Sequence, residues 1–358
     1  MIYFDNAAST FLCESAKNIL QQDFGNPSSP HVLGIEAERA VKSAIKEMAA
    51  ILSCEPEEIV YTSGGTESNN LGIIGAALAL KSARGKDKNM RILATNQEHP
   101  SVTEPLEYLA SLPGFSISCS EPEKWEICED TAMVCMPHVS SETGDIFEMK
   151  EAPRLRGKVI VFVDGAQGFC KEKLPYADIY SFSGHKIHGP MGVGGLKIRK
   201  GLRLTPMLYG GGQQNRIRPG TENVPGILAM TAAAKQQMNA DCVQIGNIKE
   251  ILSSMAKELP EIYINKVNEK TSPYILNMSI KGIRGEVLAN LLSSKGVCVS
   301  IGAACRTSKK KVPALADMGF SKERAESAIR LSFSRMNTEE EARRAKEIIK
   351  ESILELRR

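Results

Sequence analysis

Apolar residues along this chain follow two rhythms. Ala37, Val41, Ala44, Ile45, Met48 and Leu52 recur at three- and four-residue intervals, so their spacing predicts an amphipathic helix over 34–53. Short apolar runs predict strands at 59–62, 92–95, 132–136, 159–164, 178–182 and 194–198. After the first of these comes a polar turn, Ser63-Gly64-Gly65-Thr66-Glu67, and then a helical run through Leu80. Strands separated by helical stretches predict an α/β domain on a mainly parallel sheet.

The pattern changes near residue 224. A long helical stretch is expected to about Leu259, and strands at 275–280, 297–300 and 329–333 then mix with helices. Thr338 and Glu341 are spaced as a capping box, and Ala345, Ile349, Ile353 and Leu356 form one apolar stripe behind it. With 358 residues the chain exceeds the roughly 250–300 at which one core stops growing. The expected division is a large domain over 13–241 and a smaller α+β domain made of 1–12 with 242–358.

Composition narrows the function. Lys+Arg 45 against Asp+Glu 42 gives a net charge of +3, too balanced for a nucleic-acid or membrane-surface protein. The longest apolar run, 71–80, falls short of the roughly 18 residues of a membrane span. The first residues lack a basic segment followed by an apolar one, so a cytoplasmic location is expected. There are nine cysteines and no C-x-x-C pair, which disfavours zinc ribbons and thioredoxin-like motifs. Most of these thiols are expected to be reduced and buried, with one or two left for chemistry.

Candidate chemistry gathers at predicted strand ends. Ser183-Gly184-His185-Lys186 directly follows the strand over 178–182, and in open α/β sheets ligands bind beyond the carboxyl ends of strands. Asp164 ends another strand, and Gly165-Ala166-Gln167 follow it. A buried carboxylate needs a cationic partner. A pyridinium nitrogen serves, and a Schiff-base lysine with an aspartate at the ring nitrogen marks pyridoxal phosphate sites; a plain Asp–Lys ion pair is the other arrangement open to these two residues. The turn Ser63–Thr66 can aim backbone N–H groups at a phosphate. His99 lies just past the strand over 92–95, where it can stack on a planar ring and move protons, and His185 can donate to a phosphate. His188 is close to Lys186, while His31 and His138 carry no assigned role. Cys305 sits between small residues, Gly302-Ala303-Ala304, and cations, Arg306 and Lys309-Lys310-Lys311, a setting that favours the nucleophilic thiolate.

Nine segments in order strongly resemble the cysteine desulfurases, fold-type-I pyridoxal phosphate enzymes. They are Tyr3-Phe4-Asp5-Asn6-Ala7-Ala8, Gly25-Asn26-Pro27-Ser28-Ser29, Thr62-Ser63-Gly64-Gly65-Thr66-Glu67-Ser68-Asn69-Asn70, Glu98-His99, Asp164-Gly165-Ala166-Gln167, Ser181-Phe182-Ser183-Gly184-His185-Lys186, Arg218-Pro219-Gly220-Thr221, Gly302-Ala303-Ala304-Cys305 and Ile329-Arg330-Leu331-Ser332. The resemblance spans nearly the whole chain. It implies a large domain with a mainly parallel seven-stranded sheet and a smaller α+β domain carrying the catalytic cysteine.

The resemblance also implies roles. Lys186 would hold the cofactor through a Schiff base and later remove the substrate Cα proton. Asp164 would pair with the ring nitrogen and Gln167 with the ring hydroxyl oxygen. Gly65, Thr66, Ser183 and His185 would hold the phosphate, joined by Thr221 from a neighbouring subunit, which implies a homodimer. His99 would stack on the ring and act as acid or base. Arg330 would clamp the carboxylate of L-cysteine, and Cys305 would take up sulfur as a persulfide. Ser141 stands where the family commonly has an asparagine that approaches the ring, so its reach is shorter. The persulfide would pass to a sulfur-acceptor protein, an iron–sulfur scaffold or a tRNA-thiolating enzyme, with no direct contact to nucleic acid or membrane. A selenocysteine lyase, a related aminotransferase and a catalytically silent binding protein of the same fold are the other readings. Cys305 speaks against transamination, which needs no protein thiol.

Overall fold

The computed structural model describes residues 1–85, 87–301 and 314–358. The chain divides into two compact units: 1–10, 139–146 and 239–358 form one, and 11–138 with 147–238 form the other. It begins with a two-residue strand, β1 (Ile2–Tyr3), in the first unit.

The second unit is built on seven strands: β2 (Ile59–Thr62), β3 (Met90–Ala94), β4 (Phe115–Cys119), β5 (Thr131–Pro137), β6 (Ile160–Asp164), β7 (Ile179–Ser183) and β8 (Gly194–Ile198). Their order across the sheet is β2-β8-β7-β6-β5-β3-β4. The pairs β7·β6, β6·β5, β5·β3 and β3·β4 are parallel, and β8 runs against both of its neighbours. The mainly parallel seven-stranded sheet expected from the sequence is therefore present. Strand residues alternate between faces. Val161 and Val163 pack with the helices Val32–Leu52 and Val224–Met238, whereas Ile160 and Phe162 pack with Ile73, Ala77 and Leu106 on the other side. Burial on both faces explains why these strands read as continuous apolar runs.

The helix Val32–Leu52 buries Ala37, Val41, Ala44, Met48 and Leu52, the stripe that predicted it. His31 caps it, its ring Nδ1 accepting from the Gly34 N–H at 3.3 Å. The helical run after the polar turn extends further than expected, from Gly65 to Arg84, with a π-helical segment at Leu71–Gly75. The pattern did not announce the helix Glu14–Leu20 or the short strands Ile2–Tyr3 and Ile262–Ile264, and two further elements escaped it for a visible reason. The helix Pro100–Ala110 contains Pro100 and Pro105, and β4 is a half-exposed edge strand.

In the first unit, β9 (Ile262–Ile264), β10 (Ile275–Ile280) and β12 (Ala328–Ser332) form an antiparallel sheet in the order β12-β10-β9, and β11 (Val297–Cys298) pairs in parallel with β1. Leu252, Leu288, Ile349 and Ile353 are fully buried in its core, each worth about 1.5–3 kcal/mol. Thr338 and Glu341 form the expected capping box of the helix Glu339–Leu356. The single helical stretch expected to about Leu259 is instead broken into Val224–Met238, Cys242–Ser253 and Met255–Glu258. Asp241 caps the second of these through Val243 N–H at 2.9 Å.

The division differs from the expected 13–241 at one telling place, since residues 139–146 cluster with the first unit. Asp145 gives the physical reason. Its buried carboxylate accepts from the N–H groups of Val267 and Asn268, both at 3.0 Å, and from the Thr143 hydroxyl at 2.6 Å. A buried carboxylate is stable only with such donors, and the backbone donors come from the first unit.

The expectation that most cysteines are buried is also corrected. Cys13, Cys135 and Cys170 are buried, but Cys119, Cys128 and Cys242 are exposed. Cys119 ends the edge strand β4, and Cys128 and Cys242 lie outside the strands, so the apolar interior does not claim them. Cys305 lies outside the described residues.

Candidate active site

Parallel pairing of β6 with β7 sets Asp164 opposite Ser181. Two turns leave the same sheet edge there: Gly165–Gln167 after β6, and the 3₁₀ turn Gly184–Lys186 after β7. The sequence proximity of Asp164 and Lys186 thus becomes adjacency of the two strands that carry them.

Asp164 is buried, and both of its oxygens accept hydrogen bonds. Oδ1 accepts from Ala166 N–H at 3.0 Å and from the Ser181 hydroxyl at 3.3 Å, and Oδ2 accepts from Asn69 Nδ2 at 2.9 Å. All these donors are neutral, so the site provides an orienting cradle for a carboxylate. A second carboxyl, Glu98, is half-buried close by, with its Oε2 enclosed. Burial first, and then the Asp164 charge, push it up to about 8, although Thr95 Oγ1 donates to its Oε1 at 3.0 Å.

His99 caps the helix Pro100–Ala110. Its Nδ1 accepts from the Ser101 N–H at 3.1 Å and lies 2.8 Å from the Ser101 hydroxyl. Because Nδ1 accepts from a backbone N–H, the ring proton belongs on Nε2. Asn69 donates to the same Ser101 hydroxyl at 2.8 Å. The Ser101 oxygen therefore accepts from Asn69 and gives its own proton to His99. Asn69 and Ser101 were missed as site residues. Asn69 stood inside the quoted run Thr62–Asn70, and its position four residues after Gly65 on a helix was the available signal.

The turn Ser63–Thr66 is pinned from below. Glu67 Oε2 accepts from Ser63 N–H at 2.6 Å, and Arg218 donates to Glu67 at 2.9 Å. Burial alone would raise the Glu67 carboxyl, but the bonds from Arg218 and Ser63 outweigh it and hold it below the usual range. Gly194 lets this turn approach β8, since a Cβ there would meet the Gly64 Cα at 2.7 Å. Ser183 Oγ is buried with no hydrogen-bond partner among the described residues, and its Cβ lies 3.6 Å from where a Gly65 Cβ would stand.

Basic groups crowd the turn after β7. His185 is lowered to about 4 by burial, then by Lys186 and Lys171. Lys171 is lowered to about 7 by burial, then by Lys186. Mutual repulsion among basic groups, a buried hydroxyl and glycines in the facing turn suit a bound phosphate. Gln167 is buried in the turn after β6. A cavity of about 550 Å³ is lined by Thr66, His99, Pro100, Glu104, Tyr108 and Met207. The residues thus fit the cofactor that the sequence implied, with a carboxylate for its ring and an anion cradle for its phosphate.

Thr221 is exposed in the second unit. Ser141 and Arg330 belong to the first unit, where Arg330 Nη1 donates to the Ser141 carbonyl at 2.8 Å. His188 is buried at φ +66°, and its Nδ1 donates to the Phe11 carbonyl at 2.7 Å.

A family model for class-V aminotransferases matches residues 2–344. The chain belongs to the class-V aminotransferase family. Members of this family are pyridoxal phosphate enzymes, in keeping with the cradle around Asp164 and Ser183. Among its relatives, the cysteine desulfurase IscS of Klebsiella pneumoniae is 35% identical, over 99% of this chain and 93% of its own. That of Dictyoglomus turgidum is 32% identical, over 99% and 95%. A solved NifS-like protein superposes with a TM-score of 0.87 at 30% identity, covering 99% of both chains. A NifS-like protein from Rickettsia africae gives 0.82 at 25% identity, over 98% of this chain and 99% of its own.

Proposed function

We propose that this chain is a pyridoxal-phosphate-dependent cysteine desulfurase, which converts L-cysteine to L-alanine and holds the released sulfur as a persulfide. The observation carrying this reading is that Asp164 and the Lys186 turn stand at the ends of two neighbouring parallel strands, in a chain whose full-length relatives are named cysteine desulfurases.

When bound, the cofactor supplies an electron-withdrawing ring that acidifies the Cα proton of an amino acid. The chain's own residues do the rest. Asp164 would pair with the ring nitrogen, and Gln167 with the ring hydroxyl. Gly65, Thr66, Ser183 and His185 hold the phosphate. Lys186 would hold the cofactor, and its amine would then take the substrate Cα proton. His99 would lie against the ring, with Nε2 the nitrogen able to exchange a proton because Nδ1 is held by Ser101. Arg330 grips the substrate carboxylate, its planar fork matching two oxygens. Ser141 lies in the same segment as Glu142 and contributes its backbone carbonyl to Arg330. The Cys305 thiolate attacks the substrate sulfur. The carbon–sulfur bond breaks, its electron pair stays with the alanine fragment, and that fragment takes up a proton.

The protein acts as a homodimer, with Thr221 completing the phosphate site of the partner. Support comes from the exposure of Thr221 and of apolar Phe11, Val32, Leu33, Leu208 and Tyr209 in the same unit. Such side chains suit an interface between copies. The persulfide passes to a sulfur-acceptor protein for iron–sulfur cluster assembly or tRNA thiolation. The cytoplasm is the fitting compartment, because eight of the cysteines are free thiols. Among the described residues no helix is long and apolar enough to cross a membrane.

The test is direct. Purified protein given pyridoxal phosphate and L-cysteine should form alanine and, with a thiol reductant, sulfide in equal amounts. Lys186→Ala should abolish both, and Cys305→Ala should abolish sulfide release. Sulfide release that survives Cys305→Ala would overturn the assignment of the acceptor thiol, and absence of alanine from the unaltered protein would overturn the function.

A further inference from the structure

Arg330 is buried, with 6% of its surface exposed, and its five N–H groups are unevenly used. Its backbone is fixed by Ser300 in both directions, N–H to carbonyl at 2.7 and 3.0 Å. One edge of the guanidinium is fully occupied. Nη1 donates to the Ser141 carbonyl at 2.8 Å and faces Glu142 Oε1 at 3.5 Å. Glu142 is as buried as Arg330, and its own carbonyl is held by Asn277 Nδ2 at 3.1 Å.

The other edge differs. Among the described residues Nη2 meets a single oxygen, Asp5 Oδ1, at 3.2 Å, and Nε is buried with no partner. Asp5 is the most exposed of the three charged groups, its side chain 25% accessible against 7% for Arg330 and 5% for Glu142. Nε and Nη2 together form the edge that grips a carboxylate with two parallel bonds. Here Asp5 uses half of it.

We propose that Asp5 is a place-holding counter-ion: it occupies the Nε–Nη2 edge of Arg330 until the carboxylate of an amino-acid substrate displaces it, while Glu142 and the Ser141 carbonyl hold the opposite edge and aim the guanidinium. The inference rests on the reading of Arg330 as the substrate-carboxylate clamp. Its logic is electrostatic. A buried guanidinium needs a counter-charge in the resting protein. A permanent second carboxylate on the gripping edge would repel the substrate, but a weakly held, partly solvated one can leave. Asp5 then tunes affinity for the substrate, and Glu142 is a positioning residue.

The experiment compares full-length, cofactor-loaded proteins. Asp5→Asn keeps the size of the side chain and removes its charge. It should lower the KM for L-cysteine by about 2–5-fold, the range for a partly exposed ion pair, and raise kcat/KM by the same factor. Calorimetric binding of 3-mercaptopropionate, which has the carboxylate but no amine, should tighten by that factor, and 1-propanethiol, which has no carboxylate, should show no change. Glu142→Gln should weaken 3-mercaptopropionate. If Asp5→Asn melts well below the parent, Asp5→Ser makes the same comparison. A KM and a binding constant that rise or stay put on removing the Asp5 charge overturn the proposal, as does tightening in Glu142→Gln. Alanine formation by the unaltered protein separately tests the desulfurase reading, and the calorimetric constants decide the role of Asp5 whether or not alanine forms.

Discussion

Asn69 Nδ2 donates to Asp164 Oδ2 at 2.9 Å and also to Ser101 Oγ at 2.8 Å. One buried amide thereby links the acid at the end of β6 with the histidine at the start of the helix Pro100–Ala110. Its two N–H groups are both consumed, and its own oxygen is buried without a partner among the described residues. The arrangement orients Asp164 and directs the Ser101 proton to His99 Nδ1.

Replacing Asn69 by alanine removes both donors at once. The unpaired Asp164 and Ser101 oxygens should cost about 1–3 kcal/mol, read as a lower denaturation midpoint in urea. Pyridoxal phosphate, titrated into cofactor-free protein by absorbance, should bind about 10-fold more weakly, the equivalent of ~1.4 kcal/mol. Unchanged binding would show that Asn69 does not position Asp164.

Glu98 predicts a pH dependence of stability. Its carboxyl is raised from 4.5 to about 8 in the folded chain. Its neutral form is therefore the one the fold favours, and that contribution is complete below pH 4.5 and lost as pH rises through 8. Glu98→Gln keeps an acceptor for Thr95 and cannot ionise. The variant should gain stability relative to the parent as pH goes from 5 to 9, measured by urea unfolding at each pH. A constant difference across that range would rule out a raised Glu98.

His138 predicts the opposite slope. Burial lowers its ring from 6.5 to about 4. Its Nδ1 accepts from the Tyr180 hydroxyl at 2.8 Å and its Nε2 donates to the Lys173 carbonyl at 3.1 Å, a neutral tautomer. The contribution of a lowered histidine is present above pH 6.5 and lost as pH falls through 4, on the order of 3 kcal/mol. His185, also near 4, adds to the same acid limb. Thermal melts should drop steeply between pH 6.5 and 4, and His138→Gln should flatten that limb.

Gly168 lies against the His138 ring, and a Cβ there would run into it. Gly168→Ala should destabilise by about 1–3 kcal/mol through overpacking. Because His138 N–H also donates to the Asp164 carbonyl at 2.8 Å, the displaced ring should weaken cofactor binding as well. Full stability in this variant would mean that the turn after β6 yields easily.

Much of the site was legible because its residues sit at strand ends, next to the glycines and polar residues that end the strands. Asp164 and Lys186 each follow an apolar run, and both runs proved to be neighbouring strands. Residues whose partners lie far along the chain were not legible. Asn69 gains meaning only from Asp164, 95 residues on, and from Ser101, 32 residues on. The placement of 139–146 depends on Asp145 and the N–H groups of Val267 and Asn268, 122 and 123 residues later. The helix Pro100–Ala110 was hidden by prolines, one of which occupies the first helical position, where no donor is needed. β4 was hidden by its alternating serines. Cys305 is assigned from the sequence alone, outside the described residues.

The threading of the first unit sets a timetable for synthesis. Its pieces come from the beginning, the middle and the end of the chain, and Asp5 pairs with Ser332 in an isolated bridge. As the ribosome works from the amino end, residues 1–10 must wait with their binding surfaces bare until the last strand emerges. The seven-stranded unit is complete once residue 238 is out, so nascent chains paused there should already resist proteases over the big sheet while their first ten residues are still cut.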